Sequence, residues 1–184
     1  MKYVLTGGPN CGKTSVINEL RSREFNVLEE VAREVLSSPV FANTKNTEFL
    51  EGVIFAGQLC EESKCDRIRG IKFLDRGLPD VIAYCWANLG YVPKEFTDDR
   101  FRDRYEGVFL LDRLPFVQDG VRIEKDDSEA QKMHDKIIAV YRNYGYSPVN
   151  VPIIELGERG IGKRADFIVD YIENLKEMKE NAFV

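Results

Sequence analysis

Short, nearly all-apolar runs alternate along this chain with longer stretches in which apolar residues recur every three or four positions. The run 2–6 ends at glycine and predicts a buried strand. In 14–24, Val16, Ile17 and Leu20 stand at helical spacing, and 25–30 predicts a second strand. Over 47–67 the pairs Phe49/Val53 and Leu50/Ile54 lie four apart and predict a helix, followed by a third strand at 71–75. Residues 79–90 open with proline, close with glycine and align Val81, Cys85 and Leu89, the marks of another helix. A fourth strand is predicted at 107–112. In 128–145 an apolar stripe runs through Ala130, Met133, Ile137, Val140/Tyr141 and Tyr144, with Ser128 and Gln131 as a capping-box pair. A fifth strand at 147–153 and a helix at 164–178, aligned on Ile168, Ile172 and Leu175, complete the pattern. Strands this apolar, alternating with helices, predict an α/β fold with a parallel sheet covered on both faces. Ligands of such sheets gather at the carboxyl ends of the strands, which points to Gly7 onward, Glu29/Glu30, Asp75 and Asp112.

Composition narrows the class. A length of 184 residues suits one domain, with room for a lid at about 113–127 around the Asp119-Gly120 turn signal. The net charge of −5 gives no overall basic surface, so nucleic acid is not an expected partner. No apolar run is long enough to span a membrane, and the first one is too short for a signal peptide, so a cytoplasmic protein is expected. Cys11, Cys60, Cys65 and Cys85 form no CxxC pair, and His134 is the only histidine. Free thiols are expected rather than a zinc site, and histidine-activated nucleophiles have little material to work with.

The most specific signal stands near the start. Gly7, Gly8, Pro9, Asn10, Cys11, Gly12, Lys13 and Thr14, with Ser15 following, fit G-x-x-x-x-G-K-[ST] between a predicted strand and a predicted helix. Backbone N–H groups of such a loop can wrap a phosphate, and the helix N-terminus adds its dipole. Lys13 brings a full charge to the β- and γ-phosphates, and the Thr14 hydroxyl is a hard oxygen suited to Mg²⁺. Bulky side chains would keep phosphate from the backbone; Cys11 is read as a small filler.

Other strand ends add charge. Asp75 and Asp112 each close an apolar run, and the pattern alone leaves open which would hold a metal or take a proton. Arg76 could bind an anionic substrate or the transferring phosphoryl group. One helical turn would bring Glu30 and Arg33 together at the cleft; a solvated ion pair is the plainer reading. Arg113, Arg122 and Lys125 could form a basic flap over phosphates or a solvated loop. His134 is expected at the surface, and Trp86 and the tyrosines in the core.

With "GGPNCGKTSVINEL", "EEVAREV", "FLDRGLPDVIAY", "VFLLD", "DGVRIE" and "GKRADFIVDYI" in this order, the chain resembles the P-loop kinase-like AAA_28 family. That group includes the kinase domain of NadR and the TRPL translocation defect protein family. The resemblance implies a P-loop NTPase sandwich of three layers, with five parallel strands in the order 2-3-1-4-5. It implies that residues 7–14 bind the triphosphate and Mg²⁺. It favours Asp75 over Asp112, as the aspartate of an Asp-Arg motif in thymidylate-kinase-like enzymes. Arg33 resembles a substrate-binding arginine and Arg122 a lid arginine.

The function expected is Mg-ATP-dependent phosphoryl transfer to a small acceptor such as a nucleoside, a nucleotide or a related metabolite, with GTP open as donor. Glu30, Arg33 and Arg76 would bind the acceptor; Lys13, Asp75, Arg76 and Arg122 would carry the chemistry. The alternative is a nucleotide-dependent binding module or slow ATPase or GTPase switch. No Asn-Lys-x-Asp follows a late strand, which weakens a Ras-like reading. An AAA+ motor would need an Asp-Glu strand end and a further helical domain, neither of which the sequence offers.

Overall fold

The computed structural model describes residues 1–114 and 127–182. The lid segment, with Arg122, Lys125 and the Asp119-Gly120 turn signal, lies almost wholly outside the described residues. Among these residues are five strands and six helices: β1 (Lys2–Thr6), α1 (Lys13–Ser22), β2 (Asn26–Leu28), α2 (Val31–Ser37), α3 (Thr47–Cys65), β3 (Lys72–Asp75), α4 (Leu78–Leu89), β4 (Gly107–Leu111), α5 (Asp127–Asn143), β5 (Val149–Val151) and α6 (Glu158–Asn181). Two short 3-10 turns, Lys94–Phe96 and Asp99–Phe101, connect α4 to β4. All strand pairs are parallel, in the order β2-β3-β1-β4-β5, as the family resemblance implied.

The two-residue period of the strands divides the core. Tyr3, Leu5, Phe73, Phe109 and Leu111 face Val16, Ile17 and Leu20 of α1 and Ala165, Ile168 and Ile172 of α6. Val4, Leu74 and Val108 face the opposite side, where Phe55, Ile82, Met133, Ile137 and Tyr141 pack from α3, α4 and α5. Each fully buried Leu, Ile or Phe in these layers contributes about 1.5–3 kcal/mol. β1 lies between β3 and β4, with Leu5 level with Asp75 and Phe109. The end of β1 therefore delivers the loop 7–12 to the middle of the carboxyl edge.

The differences from the sequence pattern are local. β2 and β5 are only three residues each. α6 starts at Glu158, six residues before the start predicted at 164. The Ser128/Gln131 capping box does not form: α5 begins at Asp127, and Gln131 instead accepts from Arg113 and donates to Asp135. Trp86 is not core but 42% exposed, with the Lys136 ammonium 4.6 Å from its ring centroid. Tyr3, Tyr105, Tyr141 and Tyr144 are buried as expected, Tyr91 is 49% exposed, and all four cysteines are unpaired.

Candidate nucleotide site and acceptor cleft

The loop between β1 and α1 turns through left-handed backbone at Asn10 and Gly12. Its glycines are set by close approach as well as by φ. A Cβ on Gly7 would lie 2.9 Å from Leu111 O, and one on Gly8 would lie 2.8 Å from His134 Cβ. Lys13 is buried, and its Nζ donates to Gly7 O at 2.8 Å and Gly8 O at 3.0 Å, with Cys11 Sγ at 3.2 Å. The ammonium thus folds over its own loop, where carbonyls take the place that phosphate oxygens would fill. Cys11 is fully buried, in keeping with a filler.

Thr14, on the first turn of α1, donates its hydroxyl to Asp75 Oδ2 at 3.1 Å. Asp75 is 2% exposed, and its other oxygen, Oδ1, has no hydrogen-bond partner among the described residues. Burial pushes this carboxyl above its ordinary range, opposed by the charges of Lys13 and Arg76. A hydroxyl and an under-satisfied buried carboxylate are hard oxygen donors, and the pair fits a Mg²⁺ ion completed by phosphate oxygens and water. The Asp112 backbone ties β4 to β5 and α6: its N–H donates to Val151 O and its carbonyl accepts from Arg164.

Arg76 takes a left-handed φ of 77°, uncommon for a residue with a side chain. That turn puts its Nε 2.7 Å from Glu30 Oε1 and its guanidinium 4.8 Å from the Tyr84 ring centroid. Arg33 donates to Glu30 Oε2 at 3.2 Å and reaches Thr14 Oγ1 at 3.5 Å. Burial would raise the Glu30 carboxyl, but Arg76, Lys13 and Arg33 outweigh it and hold the group below its ordinary value. The two turns of α2, wider than the single turn expected, carry this arrangement along one wall of a cleft. The cleft, about 470 Å³, is lined by Thr14, Asp75, Glu29, Glu30, Arg33 and Glu34 among others. Arg113, placed by sequence in a flap, is pinned to α5 through Asp127 and Gln131.

Three residues behind the site were given no role from the sequence, although Asp80 and Arg164 stand in stretches that carry the family resemblance. Asp80, fully buried on α4, accepts from Thr6 Oγ1 at 2.6 Å, Gly77 N at 3.0 Å and the Tyr141 hydroxyl. It ties the end of β1 to the turn after β3. Arg164, buried on α6, donates to Cys11 O at 2.7 Å, Asp112 O at 2.8 Å and Pro152 O at 3.0 Å. It staples the phosphate loop to the ends of β4 and β5. His134 is not at the surface: it is 8% exposed, and its Nδ1 accepts from Gly8 N at 3.0 Å. In the sequence it stands beside Met133 of the apolar stripe but on an otherwise polar part of the helix, so nothing there marks it as buried.

A family model, AAA_28, described as an AAA domain, matches residues 2–159. The chain belongs to this family. No curated protein matches it by sequence. Among solved structures, this AAA_28 chain is similar to a NadR protein in complex with NR, at 21% identity and a TM-score of 0.68, over 92% of this chain and 51% of that one. It thus spans about half the length of that NadR chain. It is also similar to a deoxyadenosine kinase from M. mycoides, at 14% identity and a TM-score of 0.61, over 95% of this chain and 100% of the other. Shikimate kinase from Aquifex aeolicus aligns at 14% identity and a TM-score of 0.58, over 96% and 98%. At these identities the likeness establishes the fold. Among the described residues no helix is long and apolar enough to cross a membrane.

Proposed function

We propose that the chain transfers the γ-phosphoryl group of a nucleoside triphosphate, ATP with GTP as a second donor, to a hydroxyl of a small molecule in the cleft beside α2. The observation that carries this reading is Asp75: a buried carboxylate, one oxygen of which has no partner among the described residues, hydrogen-bonded to the phosphate-loop threonine and lining a cleft of about 470 Å³. A switch that hydrolyses its nucleotide has no need of such a cleft. The NadR and deoxyadenosine kinase likenesses favour the same reading, because those proteins are described with NR and with nucleotide products.

Residues 7–15 would cradle the triphosphate, with Lys13 leaving its loop carbonyls for phosphate oxygens. Thr14 and Asp75 would hold Mg²⁺, which when bound supplies positive charge to the phosphate oxygens. Asp75 Oδ1 would receive the hydrogen bond of the acceptor hydroxyl. As the acceptor oxygen bonds to the γ-phosphorus, the bond to the β,γ-bridging oxygen breaks, and the acceptor proton passes to Asp75 or water. Arg76 and Arg122 would offset the charge on the transferring group. Positioning and electrostatics would supply most of the rate.

The cleft walls bear on the acceptor. Four carboxylates, Glu29, Glu30, Glu34 and Asp75, face one guanidinium, Arg33, in the lining. Like charge disfavours a phosphate-bearing acceptor, so a nucleoside or another phosphate-free hydroxylated metabolite is the better fit.

The deciding experiment follows the γ-phosphate of labelled ATP and GTP with Mg²⁺ over a panel of nucleosides, nucleotides and nicotinamide riboside. A labelled acceptor, absent with Lys13→Ala, is the expected result. Phosphate release alone would move the reading to a nucleotide-controlled binding module. Asp75→Asn should bind nucleotide without turnover; an active Asp75→Asn beside a dead Asp112→Asn would overturn the metal assignment. Arg122→Ala should bind nucleotide and lose rate.

A further inference from the structure

The sequence offers a single histidine, and the structure puts it against the phosphate-binding loop rather than in the catalytic cleft. β1 ends at Thr6, so the Gly7-Gly8 segment is beyond the sheet ladder and must be oriented by something else. Two contacts fix the peptide groups on either side of the Gly8 Cα. The Gly8 N–H donates to His134 Nδ1 in a buried bond of 3.0 Å. The Gly8 carbonyl accepts from Lys13 Nζ, also at 3.0 Å. Glycine alone offers little resistance to peptide rotation. The close fit excludes a substitute, because a Cβ at position 8 would strike both His134 Cβ at 2.8 Å and Ala130 O at 3.1 Å. The Lys13 contact must be given up when phosphate arrives, under the nucleotide-binding reading. The imidazole contact does not compete with phosphate and is the one that can persist.

We propose that His134 is a positioning residue for nucleotide binding: its unprotonated Nδ1 holds the Gly8 peptide, and with it the phosphate loop, in the receptive orientation. This rests on the reading of residues 7–15 as a triphosphate cradle. An accepting Nδ1 requires the proton to sit on Nε2. An imidazolium would present N–H to N–H at Gly8 and lose the bond. Burial pushes the His134 imidazolium below its ordinary range; Arg113 and Lys13 act in the same direction, while Asp135 and Asp112 oppose. The neutral ring is therefore the form present at neutral pH. The contribution to loop order is complete above the ordinary histidine value and is lost as the pH falls through the depressed one.

The test is direct binding of Mg-ATP, by calorimetry, to the full chain and its variants between about pH 5 and 8. His134→Ala removes the acceptor and should bind about tenfold more weakly at neutral pH, the loss expected for one buried hydrogen bond. His134→Asn places an amide oxygen near the Nδ1 position without a titrating group. It should bind within about twofold of the parent at neutral pH. It should also lack the parent's extra weakening on the acid side. Protonation of ATP itself is common to all variants, so the difference between the parent and Asn profiles isolates the imidazole. Thermal midpoints separate the two roles further: a packing defect lowers stability in Ala and Asn alike, without flattening the pH profile of Asn. Parent-like binding by His134→Ala, or an acid fall-off in His134→Asn equal to the parent's, would overturn the proposal. A parent that binds no nucleoside triphosphate at any pH would overturn the triphosphate-cradle reading and this proposal with it.

Discussion

At the scale of single residues, the site stores its chemistry in groups that are poorly satisfied in the empty fold. Asp75 Oδ1 has no partner among the described residues, and burial raises its carboxyl. A raised carboxyl favours the protonated state, so its contribution to stability is complete below the ordinary aspartate value and is lost as pH rises through the raised one. At neutral pH the ionised form is a cost. Asp75→Asn should therefore melt higher than the parent when Mg²⁺ and nucleotide are absent, by a few degrees, since about 1 kcal/mol moves the midpoint by roughly 2–4 °C in a chain of this size. The gain should vanish in acid, where the parent's carboxyl is protonated. Thermal denaturation at two pH values checks this; an unchanged or lower midpoint at neutral pH would count against the strained carboxylate. Arg164 is the opposite case, a buried cation that donates to three backbone carbonyls. Arg164→Met keeps much of the volume and frees three carbonyls. It should weaken nucleotide binding and cost about 1–3 kcal/mol in urea denaturation.

At the scale of elements, α2 forms one wall of the cleft proposed for the acceptor. α2 carries Arg33 and Glu34 to the cleft, and Glu30 stands at its N-terminal boundary. If like charge excludes phosphate-bearing acceptors, Glu34→Lys should lower KM for a nucleoside monophosphate relative to the nucleoside, with kcat little changed. Steady-state kinetics on both acceptors read this, and an unaltered KM ratio would remove the argument from cleft charge. α3 supports the turn after β3. Its Glu62, fully buried, accepts from Gln58 Nε2 at 2.9 Å, Tyr105 OH at 2.9 Å and Arg104. Gln58 also donates to Arg76 O at 3.3 Å. Glu62→Ala leaves Arg104 half-buried and unpaired and should destabilise by about 3–5 kcal/mol. Glu62→Leu with Arg104→Leu should recover part of that loss. A mild loss in the single variant would mean that water replaces the carboxylate.

At the scale of the whole molecule, ligand binding should be visible as stability. A triphosphate with Mg²⁺ at about a hundred times its Kd adds roughly 2.7 kcal/mol, a rise of about 5–10 °C in the melting midpoint. Lys13→Ala should show little of this rise. The apolar periodicity was enough for the architecture because each face of the sheet is one continuous layer: the alternation Tyr3/Val4/Leu5 assigns the two cores before any contact is known. The phosphate loop was legible for the same reason, since its whole requirement is local: glycines for the turn, then Lys13 and Thr14 at the helix start. Asp75 and Asp112 look alike along the chain, because both follow apolar strands. Only the register of β1 against β3 brings Thr14 within 3.1 Å of one of them. Trp86 and His134 were misplaced because helical spacing marks a stripe but not its edges, and what covers an edge comes from another element. Arg164, Asp80 and His134 act on residues 153, 74 and 126 positions away, so local periodicity gives none of them a role, although Asp80 and Arg164 stand in stretches that carry the family resemblance. The sequence by itself determined the sheet, its two apolar layers and the phosphate loop, through short-range periodicity and backbone freedom. The tertiary structure alone decided which carboxylate meets the loop and which distant side chains hold it, because those are matters of long-range packing.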